Sequence, residues 1–240
     1  MNTAKPTANN TRPTGSPTLD WTNIDTVLLD MDGTILDLHY DNTVWNELVP
    51  RAYAHHLDIE LAKAQNILHG RMAEVRGRIE FYDFTAWSTF TGIDLIAVHE
   101  QVTDLIKYRP GAENFLRWLQ ATERTSIIAT NADRASLAVK DAHSGICSRV
   151  DAVVSSHDYQ QPKEAPQFWA HLIEQYPYDP ARTLFIDDNT PVLDAAAQSG
   201  IAHLLCVTTP DSARGSRTDL GYACMDDFAD LYFDHSYAGH

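Results

Sequence analysis

Basic residues and cysteines are scarce in this chain, and long apolar runs are missing. Only 18 lysines and arginines stand against 33 aspartates and glutamates, a formal net charge of -15 over 240 residues. So acidic a chain repels the backbone of a nucleic acid and an anionic membrane surface, and neither is expected as a partner. A small anionic substrate remains open, because one metal ion and a few local cations can reverse the field inside a cleft. Cys147, Cys206 and Cys224 are widely spaced, with no Cys-x-x-Cys pair and no Cys/His metal pattern. Reduced thiols and a cytoplasmic location are therefore expected, with Cys206 a small core residue of the apolar run 201–207. No segment approaches the length needed to cross a membrane. Residues 1–18, rich in Thr, Asn and Pro, lack the apolar region of a signal peptide and read as a disordered tail.

What is present points to a globular chain, with 44% hydrophobic and 10% aromatic residues. The length suits one α/β core with a small inserted domain. The most informative stretch is Val27-Leu28-Leu29-Asp30-Met31-Asp32-Gly33-Thr34-Ile35-Leu36-Asp37. Its apolar run reads as a buried parallel strand that ends at Asp30, with Asp32 two residues on. Ligand sites of open α/β sheets lie at such carboxyl ends. Two acids this close call for a bound cation or a raised pKa. Gly33 permits a sharp turn and close approach of a ligand to the backbone, and Thr34 adds a hydroxyl. An Asp-Gly turn alone would account for Asp32 and Gly33 but not for Asp30 at a buried strand end.

Beyond Asp37 the pattern turns helical and stays so to about Tyr108. Asp41 or Asn42 is the expected cap of a helix carrying Val44, Trp45, Leu48 and Val49. A second helix carries Ile59, Ala62, Ile67 and Leu68, with Gly70 or Gly77 as possible interruptions. Phe81, Phe84, Trp87 and Phe90 fall at helical spacing, and 93–106 gives a further segment. A helical block of this length is too long for one crossover helix. The expected organisation is a tail over 1–18, a helical cap over 39–108, and an α/β core from 19–38 and 109–240. In the core, helices over 112–121, 134–141, 166–175 and 191–198 alternate with strands over 126–129, 152–154, 183–186 and 202–207. That rhythm predicts a doubly wound, Rossmann-like parallel sheet. The last 30 residues read as a loop and a short acidic helix.

Three more strand ends carry polar groups. Thr130 and Asn131 follow 126–129 and could hold phosphate oxygens, although Asn131 or Asp133 would equally serve as a helix cap. Lys163 lies in the loop before the helix at Pro166, where a lone lysine is ordinarily a solvated surface charge. Asp187 and Asp188 end another apolar strand and suit a hard cation such as Mg²⁺; a helix N-terminus would explain one of them.

In this order, Asp-x-Asp-Gly-Thr, Thr, Lys and Asp-Asp, the chain resembles the haloacid dehalogenase superfamily of phosphohydrolases. The helical block resembles that superfamily's cap inserted between the first two motifs. Asp41-Asn42, Leu137-Ala138-Val139-Lys140, Pro162-Lys163-Glu164, 182–188 and 193–198 add a likeness to bacterial purine 5′-nucleotidases acting on GMP and IMP, weaker in the cap. The resemblance implies that Asp30 is a nucleophile forming an aspartyl-phosphate and that Asp32 is the acid and then the base. It implies that Thr130 and Lys163 hold the phosphoryl oxygens. Mg²⁺ would sit among Asp30, the Asp32 main-chain carbonyl and the Asp187-Asp188 pair, with Asp188 the inner ligand. Dehalogenases of the superfamily lack an acid at the position of Asp32, so water chemistry on a phosphomonoester is expected. Asp194 receives no catalytic role. In the cap, Arg71, Arg76 and Arg78 are the available cations, and Trp45, Phe81, Tyr82 and Trp87 the available flat faces, most of them expected in the cap's own core. A sugar phosphate as substrate, or a binding protein without catalysis, are the alternatives.

Overall fold

Successive residues of an extended strand point to opposite faces of a sheet, and the first strand separates two cores in this way. In the computed structural model, which describes residues 19–232, Val27 and Leu29 of β1 (Thr26–Leu29) belong to one buried cluster and Leu28 to another. Apolar residues on both faces require helices on both sides, the condition for a parallel sheet. The tail over 1–18 lies outside the described residues.

After β1 the chain forms α1 (His39–Thr43), a π-helical turn (Val44–Leu48), α2 (Val49–Leu57), α3 (Leu61–Val75), α4 (Phe84–Thr91) and α5 (Leu95–His99), followed by a 3₁₀ segment at Glu100–Leu105. The core resumes with α6 (Ala112–Gln120), β2 (Thr125–Thr130), α7 (Arg134–Ser144), β3 (Ala152–Ser155), α8 (Ser156–Tyr159), α9 (Pro166–Gln175), β4 (Thr183–Asp187), α10 (Thr190–Gln198), β5 (His203–Val207) and β6 (Ala223–Met225). All neighbouring strands are parallel, in the order β3-β2-β1-β4-β5-β6. Phe115, Leu116 and Leu119 of α6 and Leu137 of α7 cover one face. Phe168, Trp169 and Leu172 of α9, with Val192, Leu193 and Ala196 of α10, cover the other. The fold is α/β and doubly wound, with a helical insertion after β1. No helix among the described residues is long and apolar enough to cross a membrane.

The helical block has its own apolar cluster, including Tyr40, Val49, Tyr53, Leu68, Phe84, Trp87 and Leu95. Where the chain leaves and re-enters the core, the two passages bond to each other. Asp37 N–H donates to the Lys107 carbonyl (2.8 Å) and Arg109 N–H to that of Ile35 (2.9 Å).

Several local expectations need correction. Asp41 and Asn42 do not cap α1; they lie within it. Asp37 accepts from the His39 N–H instead (2.9 Å), which frees Asp41 and Asn42 for contacts to the core. The helix α3 runs through Gly70, where a side chain would meet only open space, and stops before Gly77, whose φ of +76° suits the turn. The segment over 93–106 divides into α5 and the 3₁₀ segment, with non-helical backbone at Val102. The strand at 203–207 does not end the sheet. The three-residue β6 adds an edge, and among the described residues the acidic helix after it is one 3₁₀ turn, Phe228–Asp230; residues 233–240 lie outside them.

Candidate active site

The chain turns from one side of β1 to the other between β3 and β4, so the carboxyl ends of β1, β2 and β4 form the switch point of the sheet. Register sets which residues meet there. Leu29 pairs with Ile186 across β1 and β4, and the Asp30 N–H continues the ladder to the Ile186 carbonyl (2.9 Å). The next residues out are therefore Asp30 on one strand and Asp187-Asp188 on the other. Carboxylate oxygens of Asp30, Asp187 and Asp188 lie within 4.8 Å of one another.

Lys163 reaches into this cluster from the loop before α9. Its Nζ donates to Asp30 Oδ1 (2.5 Å) and Asp187 Oδ2 (2.7 Å), and it is almost wholly buried. It is not the solvated charge that a lone loop lysine suggests. Burial pushes Asp30 up to about 7, with Lys163 opposing and Asp187 and Asp32 adding to the rise. Asp188 rises to about 7 through burial and then Asp30, and Asp187 to about 6 through burial, with Lys163 opposing. Burial pulls the ammonium of Lys163 the other way, but Asp187 and Asp30 outweigh it and hold it above the ordinary lysine value. Several buried carboxylates and one ammonium carry unspent negative charge, and oxygen donors of this kind fit a hard divalent cation.

The two adjacent acids are not equivalent. Both oxygens of Asp187 are engaged, one by Lys163 and one by the Asn189 N–H (2.7 Å). The nearest cation to the Asp188 carboxylate is Arg217, at 3.7 Å. Gly33, at φ +86°, brings the turn after β1 against Asp188; a Cβ there would lie 3.0 Å from its Cγ and Oδ1.

Asp32 stands apart from that cluster. Its Oδ1 faces the Nζ of Lys140 on α7 at 2.7 Å, and the same ammonium contacts Asp41 of α1 at 2.8 Å. Burial, then Asp32, raise Asp41 to about 7. Thr130 ends β2 fully buried, its Oγ accepting from the Ala132 N–H (3.0 Å), so the hydroxyl proton remains available to the cleft it lines. The side-chain amide of Asn131 accepts from the Lys163 N–H (2.9 Å) and donates once, to Glu164 (3.1 Å), and the residue lines the cleft. It shapes the lysine loop. The cap of α7 is Asp133, which accepts from the Ser136 N–H (2.7 Å). Asp194 lies on α10, hydrogen-bonded to the Tyr222 hydroxyl.

Asp30, Asp32, Asp41, Thr130, Asn131, Lys140, Lys163, Asp187 and Asp188 line a cleft of ≈ 490 Å³ between sheet edge and helical block. Trp45, Phe81, Tyr82, Phe84 and Trp87 form its other wall. The Tyr82 hydroxyl donates to Glu164 (2.8 Å) and the Phe84 N–H to Asp133 (2.6 Å), which ties that wall to the core. Arg71, Arg76 and Arg78 do not line the cleft. Arg71 pairs with Glu74 along α3 and lies over the Phe90 ring, and Arg78 donates to the Glu74 carbonyl. The arginine at the cleft is Arg217, from the loop between β5 and β6. Sequence reasoning read Asp41 as a helix cap and met Lys140 and Glu164 only within motifs of the resemblance; it gave none of them, nor Arg217, a place in the site. A signal existed for one: Lys140 falls three residues after core Leu137, on the buried stripe of an amphipathic helix.

Residues 24–200 match the family of haloacid dehalogenase-like hydrolases. The chain is 35% identical over 211 residues to the GMP/IMP nucleotidase YrfG of Escherichia coli K12, covering 88% of this chain and 95% of that protein. Among solved structures it is similar to a HAD phosphatase from Thermococcus onnurineus, with a TM-score of 0.67, 19% identity, and 77% of this chain and 86% of that one covered. It is also similar to the L-2-haloacid dehalogenase of Xanthobacter autotrophicus, at a TM-score of 0.53, 20% identity, and 77% and 78% coverage. At such identities the solved structures speak to the fold alone. The family match and the 35% relative carry further, and this chain belongs to the haloacid dehalogenase-like hydrolases.

Proposed function

We propose that this hydrolase cleaves phosphomonoesters with Mg²⁺, passing through an aspartyl-phosphate on Asp30, and that purine 5′-nucleotides of the IMP and GMP type are its substrates. The observation that carries the chemistry is Asp30 itself: a buried carboxylate at the switch point, paired to Lys163 at 2.5 Å, with Asp187 and Asp188 beside it. An Asp30 oxygen attacks phosphorus while the P–O bond to the leaving alcohol breaks, and Asp32 gives that alcohol its proton. Asp32, now a carboxylate, takes a proton from the water that attacks the phosphoenzyme, and phosphate leaves with Asp30 regenerated. Thr130 and Lys163 hold the phosphoryl oxygens.

Asp30, Asp188 and the main-chain carbonyl of Asp32 would hold the metal, with Asp187 fixing Lys163 from behind; the partly uncommitted Asp188 carboxylate supports that order. When bound, the cation neutralises charge on the cluster and on the transferring group. The acid at Asp32 favours water chemistry over dehalogenation. The purine reading is supported by the nucleotidase relative and by the aromatic wall, where a base can stack.

A panel of phosphomonoesters assayed for released phosphate, with and without Mg²⁺, tests the proposal. IMP and GMP should be cleaved faster than sugar phosphates, and only with the metal. Equal rates on both classes would remove the nucleotide assignment. Silence on all of them would remove the catalytic one.

A further inference from the structure

A lysine ammonium with almost no solvent exposure is costly unless carboxylates surround it. Lys140 is such a group, and its ammonium meets Asp32 at 2.7 Å, Asp41 at 2.8 Å and the face of Tyr40 at 5.7 Å. It reaches them because Asp133 starts α7 at the carboxyl edge of the sheet, which brings the buried stripe of Ser136, Leu137 and Lys140 up to the cleft. A tie between helical block and core would need only Lys140 and Asp41, and other such ties exist in Asn42 to Asp211 (2.6 Å) and Tyr82 to Glu164. The contact to Asp32 goes beyond that need. Asp32 Oδ1 is buried 2.7 Å from the ammonium, an ion pair without an aligned hydrogen bond, while the side chain as a whole keeps 20% exposure and lines the cleft.

We propose that Lys140 is a positioning residue for the proton-transfer step: it anchors one oxygen of Asp32, so that the rest of the carboxyl is presented to the substrate's leaving oxygen, and Asp41 of α1 holds Lys140 in place. The orientation of the acid is thereby linked to the seating of the helical block, since Lys140 contacts both. This inference rests on the acid–base role given to Asp32 under Proposed function, but not on the identity of the alcohol released.

The choice of ester tests it. An alkyl alcohol, such as the 5′ oxygen of a nucleoside, leaves only if protonated, whereas para-nitrophenolate leaves unaided. Catalytic efficiency, kcat/KM, reports the steps up to the first bond cleavage, so K140M should lose about 10²-fold on IMP, the lower end of what a positioned general acid supplies. On para-nitrophenyl phosphate it should lose far less, and K140R, which keeps the charge, should fall between. Equal losses on the two esters, or no loss, would overturn the proposal. If K140M does not fold, D41N carries the same comparison, with a smaller but equally selective loss expected and an equal loss overturning. Should wild type cleave another alkyl phosphate and not IMP, that ester takes its place, and only the nucleotide assignment falls. Wild type inactive on every ester would overturn this inference together with the function it rests on.

Discussion

His99 should make the helical block acid-sensitive. The ring has no solvent exposure and packs against Phe84 at 4.4 Å between centroids. The Tyr40 hydroxyl lies 3.1 Å from its Nδ1, and its buried Nε2 has no hydrogen-bond partner. A proton on this ring would be a charge in an apolar cluster, with the ammonium of Lys140 repelling it further. Burial first, and Lys140 second, pull the imidazole from an ordinary 6.5 down to about 3. The unfolded chain binds the proton more readily, so stability falls as pH falls below the ordinary value. Above that value the ring is neutral in both states and contributes no pH dependence. By pH 5 the linkage amounts to about 2 kcal/mol, at about 1.36 kcal/mol per unit of separation. For a domain of this size that lowers Tm by about 4–8 °C.

Other buried groups blur the absolute profile. Asp30, Asp41, Asp187 and Asp188 are all raised, so each favours the folded state as pH falls. A comparison with His99→Leu separates the effects, because the carboxylates are common to both proteins. The variant loses stability at neutral pH by disturbing a packed site, but its melting temperature should decline less steeply between pH 7 and 5. Thermal melts across that range, plotted as the difference between the two proteins, give the test. Parallel curves would mean that His99 titrates normally in the folded protein.

Asp30→Asn should abolish phosphate release while leaving thermal stability intact or raised, since it removes a carboxylate charge that burial disfavours despite Lys163; appreciable residual turnover would mean another group attacks phosphorus. Gly33→Ala should cost about 1–3 kcal/mol through positive-φ strain and should also depress turnover by pushing Asp188 aside; urea melts and a rate assay check both, and a variant neutral in each would refute the close-approach reading. Magnesium at one hundred times its Kd should add about 2.7 kcal/mol of apparent stability. Asp188→Asn should abolish that gain. Asp187→Asn should chiefly destabilise the metal-free protein, because its oxygens hold Lys163 and the Asn189 N–H.

Those carboxylates were visible in the sequence because each follows an apolar run, a local pattern that fixes both strand and strand end. Neither β6 nor the second lysine was legible in that way. Ala223–Met225 is too short to show a period, and it pairs only as an edge against β5. Lys140 joins Asp32 and Asp41 from 108 and 99 residues away; the buried stripe of α7 signals that it faces inward, but no local pattern shows that acids meet it there. Arg217 arrives from a loop without periodicity. The cap arginines misled for the opposite reason: a basic cluster is conspicuous in sequence, but Arg71 and Arg78 bond to Glu74 and none of the three lines the cleft.

Charge ties the two lysines to the chemistry. Asp30, Asp187 and Asp188, when ionised, leave negative charge unmatched even after Lys163 and the more distant Arg217 are counted, which favours a further cation. Asp32 and Asp41 leave one after Lys140, the charge of one proton. The cluster that would receive a metal and the one that would pass a proton thus sit on adjacent sides of one cleft, each short of the cation its task requires. Asp30 links them electrostatically, lying beside Lys163 while both Asp32 and Asp187 raise its pKa. Two carboxylates sharing one strand end would compete for the same cation if nothing divided them. A lysine assigned to each divides them here, and this gives Asp30 and Asp32 different surroundings although only Met31 separates them in the chain.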